Sequence, residues 1–417
     1  MHNDRVIIVG GGVIGVACAY YLAKAGARPV LLEAKRLAAG ASAGNAGLIS
    51  PGHPPIPQPG VLREGLRMLC SPTSPLRIAP RKLFDPSFLR WMRAFRAACS
   101  QQAFLEAMKA TAALSWETLK RFDELFSQES FRCDARQGGY LEASVTEAGL
   151  QTLLDDAELL RRFGFDARPV SVEEALRLEP ALREDIAGAV WLREGRSCEP
   201  LSFTRQLAEA AAQRGAEIRH DAPVAGFEVH RRRLTAVALA SGERIAARQA
   251  VLAAGVWATP LAKTLGLRLP LQPARGYHVD LEGPAEQALP RRAVLLAEAK
   301  TVATPMHNRL RLAGTLEFCT LGDPEQQQRF DLLLKRAVRY LKGHPPREVH
   351  RWSGYRPVLP DGLPVIGPAP QVHGALLAVG HAMLGLTFAP ATGALIAQLA
   401  AGEEPAVDLA PFRADRF

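Results

Sequence analysis

A short β-branched run leads directly into a glycine-rich turn at the start of this chain. Residues 5–9 (RVIIV) are followed by GGGVIG at residues 10–15, a helical stretch over residues 16–25 and an apolar run over residues 29–32 that ends at Glu33. A strand, a tight turn, a helix and a second strand in this order predict a Rossmann-like unit within an α/β fold.

Each part of this unit has a physical reason. Gly10 allows a sharp turn, Gly12 allows the backbone to approach a pyrophosphate, and Gly15 allows close packing of helix on strand. The helix start at Val13 and Ile14 offers free N–H groups to phosphates. Glu33, followed by Ala34, lies where a carboxylate accepts hydrogen bonds from ribose hydroxyls. A bound dinucleotide is therefore predicted. The motif does not distinguish NAD from FAD. The alternative, a glycine-rich turn without a ligand, would explain the glycines but not Glu33.

Length and composition limit the number of domains and the class of protein. A chain of 417 residues is expected to form two domains or one large composite fold. No segment offers the roughly 20 apolar residues of a membrane span. The first strand starts too early to leave room for a signal peptide, so we expect a cytoplasmic protein. The cysteines lack zinc or CxxC spacing, which predicts free thiols and no metal site, and they lie at Cys18, Cys70, Cys99, Cys133, Cys198 and Cys319.

The net charge of +9 has three explanations: a nucleic-acid partner, an anionic membrane surface, or a bias towards arginine in the coding sequence. No nucleic-acid motif accompanies the charge, so no nucleic-acid partner is expected. Residues 88–99 place Phe88, Trp91 and Phe95 on one helical face and arginines on the other. This helix either lies peripherally on the inner membrane or packs on the protein's own core, and the second interpretation is preferred.

A loop of small residues follows the first unit, over residues 40–52. Its small side chains would let the backbone pass close to a flat ligand, and Ser42 and Asn45 could form hydrogen bonds to it; the alternative is a flexible linker. The candidate contacts here are Ala41, Ser42, Asn45, Ala46, Gly47 and Leu48.

The pattern further along the chain predicts one sheet assembled from separated segments. Residues 249–255 form a buried strand that ends in glycine, and a third segment has a strand over 375–379 and a helix over 387–400. Ligands bind beyond the carboxyl ends of such strands, which makes Val224, Ala254, Gly255 and Trp257 candidate contacts. We expect a nucleotide-binding domain over 1–85, 195–270 and 345–417. An α+β substrate-binding domain with a mixed sheet is expected over 86–194 and 271–344.

Local patterns predict further elements. Helices are expected within residues 84–130 and over 146–163, 171–176 and 201–214, where Ser171 stands three residues before Glu174 at capping-box spacing. Strands are expected over residues 137–143, 216–219, 224–229, 234–239 and 243–246, with Ser241-Gly242 as a hairpin turn.

Residues 354–367 (GYRPVLPDGLPVIG) form the second informative region. Asp361-Gly362 predicts a tight turn. Arg356 is held between an aromatic residue and a proline, where its guanidinium could bind a carboxylate through two parallel hydrogen bonds. From the residues alone, Arg356 could equally be one more solvated arginine.

The chain resembles the bacterial FAD-dependent D-amino acid dehydrogenases, within the wider group of D-amino acid oxidase, glycine oxidase and sarcosine oxidase. The resemblance covers nearly the whole chain. It rests on GGGVIG with Glu33, SAGNAGLISPG (42–52), RQGGYLEA (136–143), ARGYHVDL (274–281), HNRLRLAGTLEF (307–318), GYRPVLPDGLPVIG (354–367) and GHAMLGLTFAPATGALIAQL (380–399).

The resemblance implies that Arg356 clamps the substrate carboxylate and that the Tyr277 hydroxyl lines the same pocket. It assigns the residues around the flavin to Gly354, Gly380, Leu384, Gly385, Leu386 and Thr387. The segment Gly380–Gly385 carries bulkier residues than the family's GHGTLG pattern, and His53 stands where relatives often carry an aromatic residue. These departures put the substrate range in doubt. No cysteine lies next to Ser353, so FAD is expected to bind non-covalently.

The implied reaction is transfer of a hydride from the Cα of a D-amino acid to flavin N5, giving an imine that hydrolyses to a 2-oxo acid. Electrons would pass to a quinone or another carrier. His53 and His381 are candidate proton acceptors.

Four alternatives stay open at this point. The substrate could be a D-imino acid such as D-proline or D-hydroxyproline, or the enzyme could be a glycine- or sarcosine-type oxidase that uses O2. An NAD(P)-dependent Rossmann enzyme would leave residues 354–367 unexplained. A non-catalytic or RNA-directed flavoprotein has the net charge as its sole support.

Overall fold

The computed structural model describes residues 5–69, 71, 73–282, 289–342 and 347–417. Cys70 lies outside the described residues, and the other five cysteines are free thiols. In chain order the strands are β1 Arg5–Val9, β2 Arg28–Leu32, β3 Leu48–Ile49, β4 Leu76–Ile78, β5 Tyr140–Ser144, β6 Ala167–Val170, β7 Gly188–Leu192, β8 Arg196–Ser197, β9 Glu217–Arg219, β10 Val224–His230, β11 Arg233–Leu239, β12 Arg244–Ala246, β13 Gln249–Leu252, β14 Gln272–Glu282, β15 Val294–Leu296, β16 Thr301–Met306, β17 Arg309–Phe318, β18 Glu348–Val358, β19 Val365–Pro368 and β20 Ala375–Val379.

The helices surround these strands. They are α1 Val13–Lys24, α2 Ala41–Gly44, α3 Val61–Leu69, α4 Pro86–Ala98, α5 Gln101–Gln128, α6 Glu147–Arg162, α7 Val172–Leu178, α8 Pro200–Gln213, α9 Ala258–Thr264, α10 Gln327–Ala337 and α11 Gly385–Ala401. Among the described residues, no helix combines the length and the apolar character needed to cross a membrane.

A six-stranded sheet follows the predicted assembly from separated segments. Its order is β19-β20-β13-β1-β2-β9, and every neighbouring pair is parallel except β19 with β20. Helices α1, α5, α8 and α11 pack together over one face, and the opposite face is covered by α9 and the antiparallel ribbon β10-β11-β12. The carboxyl ends of β1, β13 and β20 therefore meet at one edge, as the sequence predicts.

A nine-stranded mixed sheet forms the second layer. Its main path is β18-β14-β17-β16-β15-β5-β7-β6, and β4 pairs with β17. Two of its strands come from ranges that the sequence predicts for the nucleotide-binding domain. Strand β18 pairs with β14 along its length, and β4 pairs with β17. The division of the chain into two domains stays a prediction. Pairing between distant strands is not visible in local sequence pattern.

Helix α4 packs on the protein's own core. Phe88, Trp91 and Phe95 are buried, whereas the arginines on the opposite face are exposed. The rings of Phe88 and Trp91 contact Phe318, and that of Phe95 stacks on Trp91. The preferred interpretation of this amphipathic helix is therefore confirmed, and its apolar face is not available to a membrane.

Element boundaries differ from the predictions by a few residues. Helix α1 begins three residues earlier than expected, because Val16 N–H already donates to Gly12 O at 2.9 Å. Ser171 caps α7 by accepting from Glu174 N–H at 3.1 Å, as its spacing predicts. The hairpin between β11 and β12 turns at Gly242, whose φ of +92° suits glycine.

Candidate functional site

A cavity of about 1930 Å³ extends from the turn after β1 to the mixed sheet. It is bordered by most of the predicted contacts: Gly10, Gly12, Val13, Ile14, Glu33, Ala34, Ala41, Ser42, Asn45, Ala46, Leu48, His53, Val224, Ala254, Gly255, Trp257, Tyr277, Gly354, Arg356, Gly380, His381, Leu384, Gly385 and Leu386. Gly15, Gly47 and Thr387 do not border it. The fold thus gathers residues from the first, middle and last parts of the chain around one space.

The glycines of the first turn are required by close backbone contacts. Gly10 has a φ of +113°, and a Cβ there would lie 2.6 Å from Ala253 O. A Cβ on Gly15 would lie 1.9 Å from Gly10 O, so Gly15 serves the packing of α1 on β1 rather than a ligand contact. Both distances are shorter than any real Cβ contact, which explains why only glycine fits.

Glu33 is fixed at the carboxyl end of β2. Its Oε2 accepts from Gly11 N–H at 2.7 Å and its Oε1 from Lys35 N–H at 2.8 Å. The carboxylate thereby borders the cavity next to the start of α1, whose first turn presents N–H groups. An acid and a helix start in this arrangement fit the ribose and pyrophosphate of a dinucleotide.

The loop of small residues is tied to α1. Ser42 Oγ accepts from Val13 N–H at 2.9 Å. The Asn45 side chain donates to Ser42 O at 2.9 Å and accepts from Gly47 N–H at 2.8 Å. These side chains hold the loop in place, which argues against a flexible linker and leaves its backbone to face the cavity.

Thr387 lies away from the cavity, inside the protein. Its hydroxyl accepts from Ser50 N–H at 3.1 Å, and its carbonyl accepts from the Thr118 hydroxyl at 2.9 Å. The predicted flavin contact is therefore replaced by a structural one that joins α11 to α5.

Arg356 extends from β18 into the cavity. It donates to Thr315 O at 2.7 Å, and among the described residues no carboxylate lies within 4.0 Å of its guanidinium. Burial lowers the pKa of Arg356 to about 10, so the side chain is still charged at neutral pH. A half-buried cation in a cavity without a protein counter-ion is costly unless an anion binds to it.

Two residues that the sequence reasoning did not single out shape the space around Arg356. A Cβ on Gly276 would lie 2.4 Å from the guanidinium, so this glycine leaves room for the arginine. Trp352 borders the cavity and stacks on His278, with ring centroids 5.2 Å apart. Gly276 stands in the ARGYHVDL segment, where the pairing of Gly276 with Gly354 was not visible from sequence.

The hydroxyl of Tyr277 does not occupy the position predicted for it. The ring packs edge-on against Phe330, and the hydroxyl donates to Glu317 and accepts from Gln326 N–H at 3.2 Å. The neighbouring His278 side chain bonds to Gly44 O on the loop side, and side chains alternate along a strand. Tyr277 therefore directs its hydroxyl to the opposite face of the sheet from Arg356.

Both histidines border the cavity in their neutral form. Burial lowers the pKa of His381 to about 3, and its Nε2 lies 3.0 Å from the Thr392 hydroxyl. Burial also lowers the pKa of His53, whose Nδ1–H donates to Pro54 O at 2.9 Å. A histidine with so low a pKa is a weak proton acceptor at neutral pH, which weakens the predicted role of His381 most.

His278, Asp280 and His350 place potential ligand atoms within 4.8 Å of one another. Asp280 is already neutralised, because Arg311 donates to its two oxygens at 2.7 and 2.9 Å. The cationic surroundings make this cluster a poor site for a metal cation.

Comparison with known proteins gives matches along nearly the whole chain. The family described as FAD dependent oxidoreductase matches residues 5–399. The D-amino acid dehydrogenase of Xanthobacter autotrophicus is 32% identical, with 99% of each chain covered. That of Methylobacterium nodulans is 32% identical and covers 97% of this chain and 96% of its own.

A solved structure, the glycine oxidase of Geobacillus kaustophilus, superimposes with a TM-score of 0.75 at 27% identity and 99% coverage of both chains. The L-proline dehydrogenase of P. horikoshii has the same fold, with a TM-score of 0.75 at 18% identity, 99% coverage of this chain and 97% of its own. The glycine turn, Glu33 and the edge of the sheet fit a dinucleotide, and the family match names it. This chain belongs to the FAD-dependent oxidoreductase family.

Proposed function

We propose that this chain is an FAD-dependent D-amino acid dehydrogenase that converts its substrate to the imine, which water hydrolyses to a 2-oxo acid. The observation that carries the proposal is Arg356, a half-buried cation that pairs with no carboxylate of the described residues and lies in the same cavity as the nucleotide turn. The full-length similarity to proteins named D-amino acid dehydrogenase supports it.

The cofactor is held by parts of the chain that are far apart in sequence. We assign the pyrophosphate to the N–H groups of Gly12 and Ile14, since Val13 N–H donates to Ser42, and the ribose to Glu33. The flavin is assigned to the backbone of residues 41–48 and 380–386, where α11 begins at Gly385 and directs its N-terminal N–H groups to the cavity. We assign non-covalent binding. When bound, FAD accepts the hydride that leaves the substrate Cα.

The protein's part in this reaction is to orient the substrate. Arg356 binds the carboxylate through the N–H groups that Thr315 does not use. Fixing the carboxylate fixes the direction of the Cα–H bond, and such positioning can supply roughly 7–11 kcal/mol in the best cases. Since His53 and His381 are poor acceptors, we assign the amine proton to water.

The decisive experiment removes the charged side chain of Arg356. Arg356→Ala is expected to raise KM for D-amino acids by about 100-fold or more, because a bidentate charged contact to the carboxylate is lost. FAD content, read from the absorbance of the purified protein, should stay at the wild-type level. A KM that does not change would remove Arg356 from substrate binding, and failure of every D-amino acid to reduce the wild-type flavin would overturn the proposed function.

An oxidase is a second candidate, supported by the 27% identity to a glycine oxidase structure. The two candidates differ in their electron acceptor: an oxidase reduces O2, and a dehydrogenase passes electrons to a quinone or another carrier. Hydrogen peroxide formed in air in proportion to substrate consumed would establish the oxidase. Turnover that needs an added quinone analogue would establish the dehydrogenase.

We propose that the acceptor is a membrane quinone and that the protein binds the bilayer surface through α3. No residue of α3 is buried, and Leu66 is 67% exposed. Arg63 and Arg67 are exposed on the same helix, as in helices that lie on anionic lipids. Co-sedimentation with vesicles of phosphatidylglycerol, lost in Leu66→Glu, tests the proposal; equal sedimentation of both proteins would contradict it.

A further inference from the structure

The floor of the cavity carries an acid at one end. Glu142 in β5 lies opposite Leu295 in β15. Leu295 lies opposite Val302 in β16, which in turn lies opposite Ala313 in β17. Directly opposed residues share a face of the sheet, and all four border the cavity. The floor is therefore apolar from β17 to β15 and ends at the carboxylate of Glu142.

This row reaches the position of the substrate. Neighbouring strands lie about 4.8 Å apart, so the backbone of Glu142 is about 14 Å from that of Ala313. Thr315, whose carbonyl accepts from Arg356, is two residues further along β17. Glu142 and Arg356 both border the cavity. A carboxylate followed by an extended side chain of roughly 6–7 Å, the span of lysine or arginine, fits between two groups at this separation.

A second acid stands beside the first. Asp156 and Thr152 lie one helical turn apart on the face of α6 that borders the cavity. The Tyr140 hydroxyl, at 3.3 Å, is the hydrogen-bond donor to Glu142, and within the described ranges no hydrogen bond or ion pair reaches Asp156. Among the residues that the structure describes, neither carboxylate forms an ion pair, although the charge of Lys300 acts on both. Two carboxylates that face a cavity in this state create a demand for a further cation.

The charges around this end of the cavity sum to a negative value. Glu142, Asp156 and Glu64 oppose one cation, Lys300, whose Nζ lies 4.0 Å from Glu64. His53 is neutral because burial lowers its pKa. Burial, followed by the charge of Asp156, raises the pKa of Glu142 to about 7, and burial also raises that of Asp156. A bound cation would therefore favour the ionised form of both acids.

We propose that the substrate of this site is a D-amino acid with a long basic side chain, whose carboxylate binds Arg356 and whose terminal cation binds Glu142 and Asp156. The apolar row of Leu295, Val302 and Ala313 contacts the methylene groups of that side chain. The proposal rests on the proposed dehydrogenase activity and narrows its substrate class.

The first test is a comparison of substrates of similar length and different charge. We expect wild-type kcat/KM to be higher for D-lysine and D-arginine than for D-norleucine, and lowest for D-glutamate. Glu142→Gln should lower the ratio of kcat/KM for D-lysine to that for D-norleucine by about 10- to 100-fold, since it removes a charged hydrogen bond. Asp155→Asn is the control, because Asp155 is an exposed acid on α6 next to Asp156 and its replacement should leave this ratio unchanged.

The second test measures binding without turnover. The compound 6-aminohexanoate has the carboxylate and terminal cation of lysine but no α-amine, and hexanoate lacks the cation. Titration followed by calorimetry should show 6-aminohexanoate binding at least about tenfold tighter than hexanoate to wild type, with the difference lost in Glu142→Gln. Affinity of the amine should rise with pH through about 7, as Glu142 ionises.

The outcomes separate this proposal from the proposed function. If neutral D-amino acids reduce the flavin as well as basic ones do, or if hexanoate binds as tightly as 6-aminohexanoate, the basic side chain is wrong while the dehydrogenase stands. If no D-amino acid reduces the flavin, the dehydrogenase is wrong, and the titration still decides whether the acid pair binds a cation.

Discussion

Gly276 leaves the space that the guanidinium of Arg356 occupies. A Cβ at this position would lie 2.4 Å from three atoms of that group, so Gly276→Ala must displace it. We expect KM for the substrate to rise about 10- to 100-fold, because misplacement by about 1 Å can cost that much in a positioned site. The measurement is steady-state kinetics together with flavin content. A rise in KM without loss of FAD supports the arrangement, and a normal KM would show that Arg356 acts from another position.

The charge of Arg356 sets an upper pH limit for carboxylate binding. Burial lowers its pKa to about 10, and the guanidinium is charged below that value and neutral above it. In Glu142→Gln, which lacks the acid that titrates near pH 7, affinity for hexanoate should therefore fall as the pH rises through the Arg356 pKa. Burial holds the pKa of His381 at about 3, so this histidine does not titrate near that pH. An affinity that stays unchanged up to about pH 11 would contradict the lowered pKa of Arg356.

Replacement of two helical glycines by alanine is expected to have opposite effects on stability, because the two helices have different surroundings. Gly393 lies in α11 against α1, and a Cβ there would lie 2.6 Å from Ala17 O. Gly65 lies in α3, where a Cβ would first meet Leu76 Cδ2 at an ordinary 3.6 Å. Helix propensity alone would predict that alanine stabilises both helices.

Because α11 lies in close contact with α1, alanine at position 393 is expected to destabilise the protein instead. Gly393→Ala is expected to lower the free energy of unfolding by about 1–3 kcal/mol through overpacking. Gly65→Ala is expected to raise it by up to about 1 kcal/mol. Thermal unfolding of the holoenzyme followed by circular dichroism measures both. A stabilised Gly393→Ala variant would show that α1 and α11 separate easily.

Hydrophobic periodicity and turn residues located most elements from the sequence. The strand over 375–379 and the cap at Ser171 needed only local pattern. The sheet to which β18 belongs could not be predicted in this way. Its partner β14 is fixed by pairing across distant segments, which local propensity does not encode.

A buried ion pair joins the mixed sheet to the loop beside the nucleotide turn. Arg311 in β17 binds both oxygens of Asp280 in β14 and also donates to Asn45 O at 3.0 Å. Arg311→Met removes both hydrogen bonds of the pair and leaves Asp280 with Arg309, 3.3 Å away, as its cationic partner. We expect a loss of up to about 3–5 kcal/mol in stability together with weaker FAD retention. The double variant Asp280→Leu/Arg311→Met should recover part of the stability because it removes the incompletely paired buried charge.

The same pair has a defined pH dependence. Burial alone would raise the pKa of Asp280, but the Arg311 hydrogen bonds and charge lower it below its ordinary value. The pair therefore contributes fully above about pH 3.9, the ordinary pKa of aspartate, and loses its contribution as the pH falls through the lowered pKa. Acid unfolding midpoints of wild type and double variant measure this, and identical midpoints would contradict it.

The sequence by itself determined the glycine turn, Glu33 and Arg356 as candidates, because backbone sterics and charge restrict which residues serve at such positions. Only the tertiary structure decided which side chains share a space. Tyr277 turns to the far face of its strand, and Glu142 and Asp156 meet at the end of an apolar row. The face that a strand residue occupies depends on register, and register is set by the pairing of distant segments.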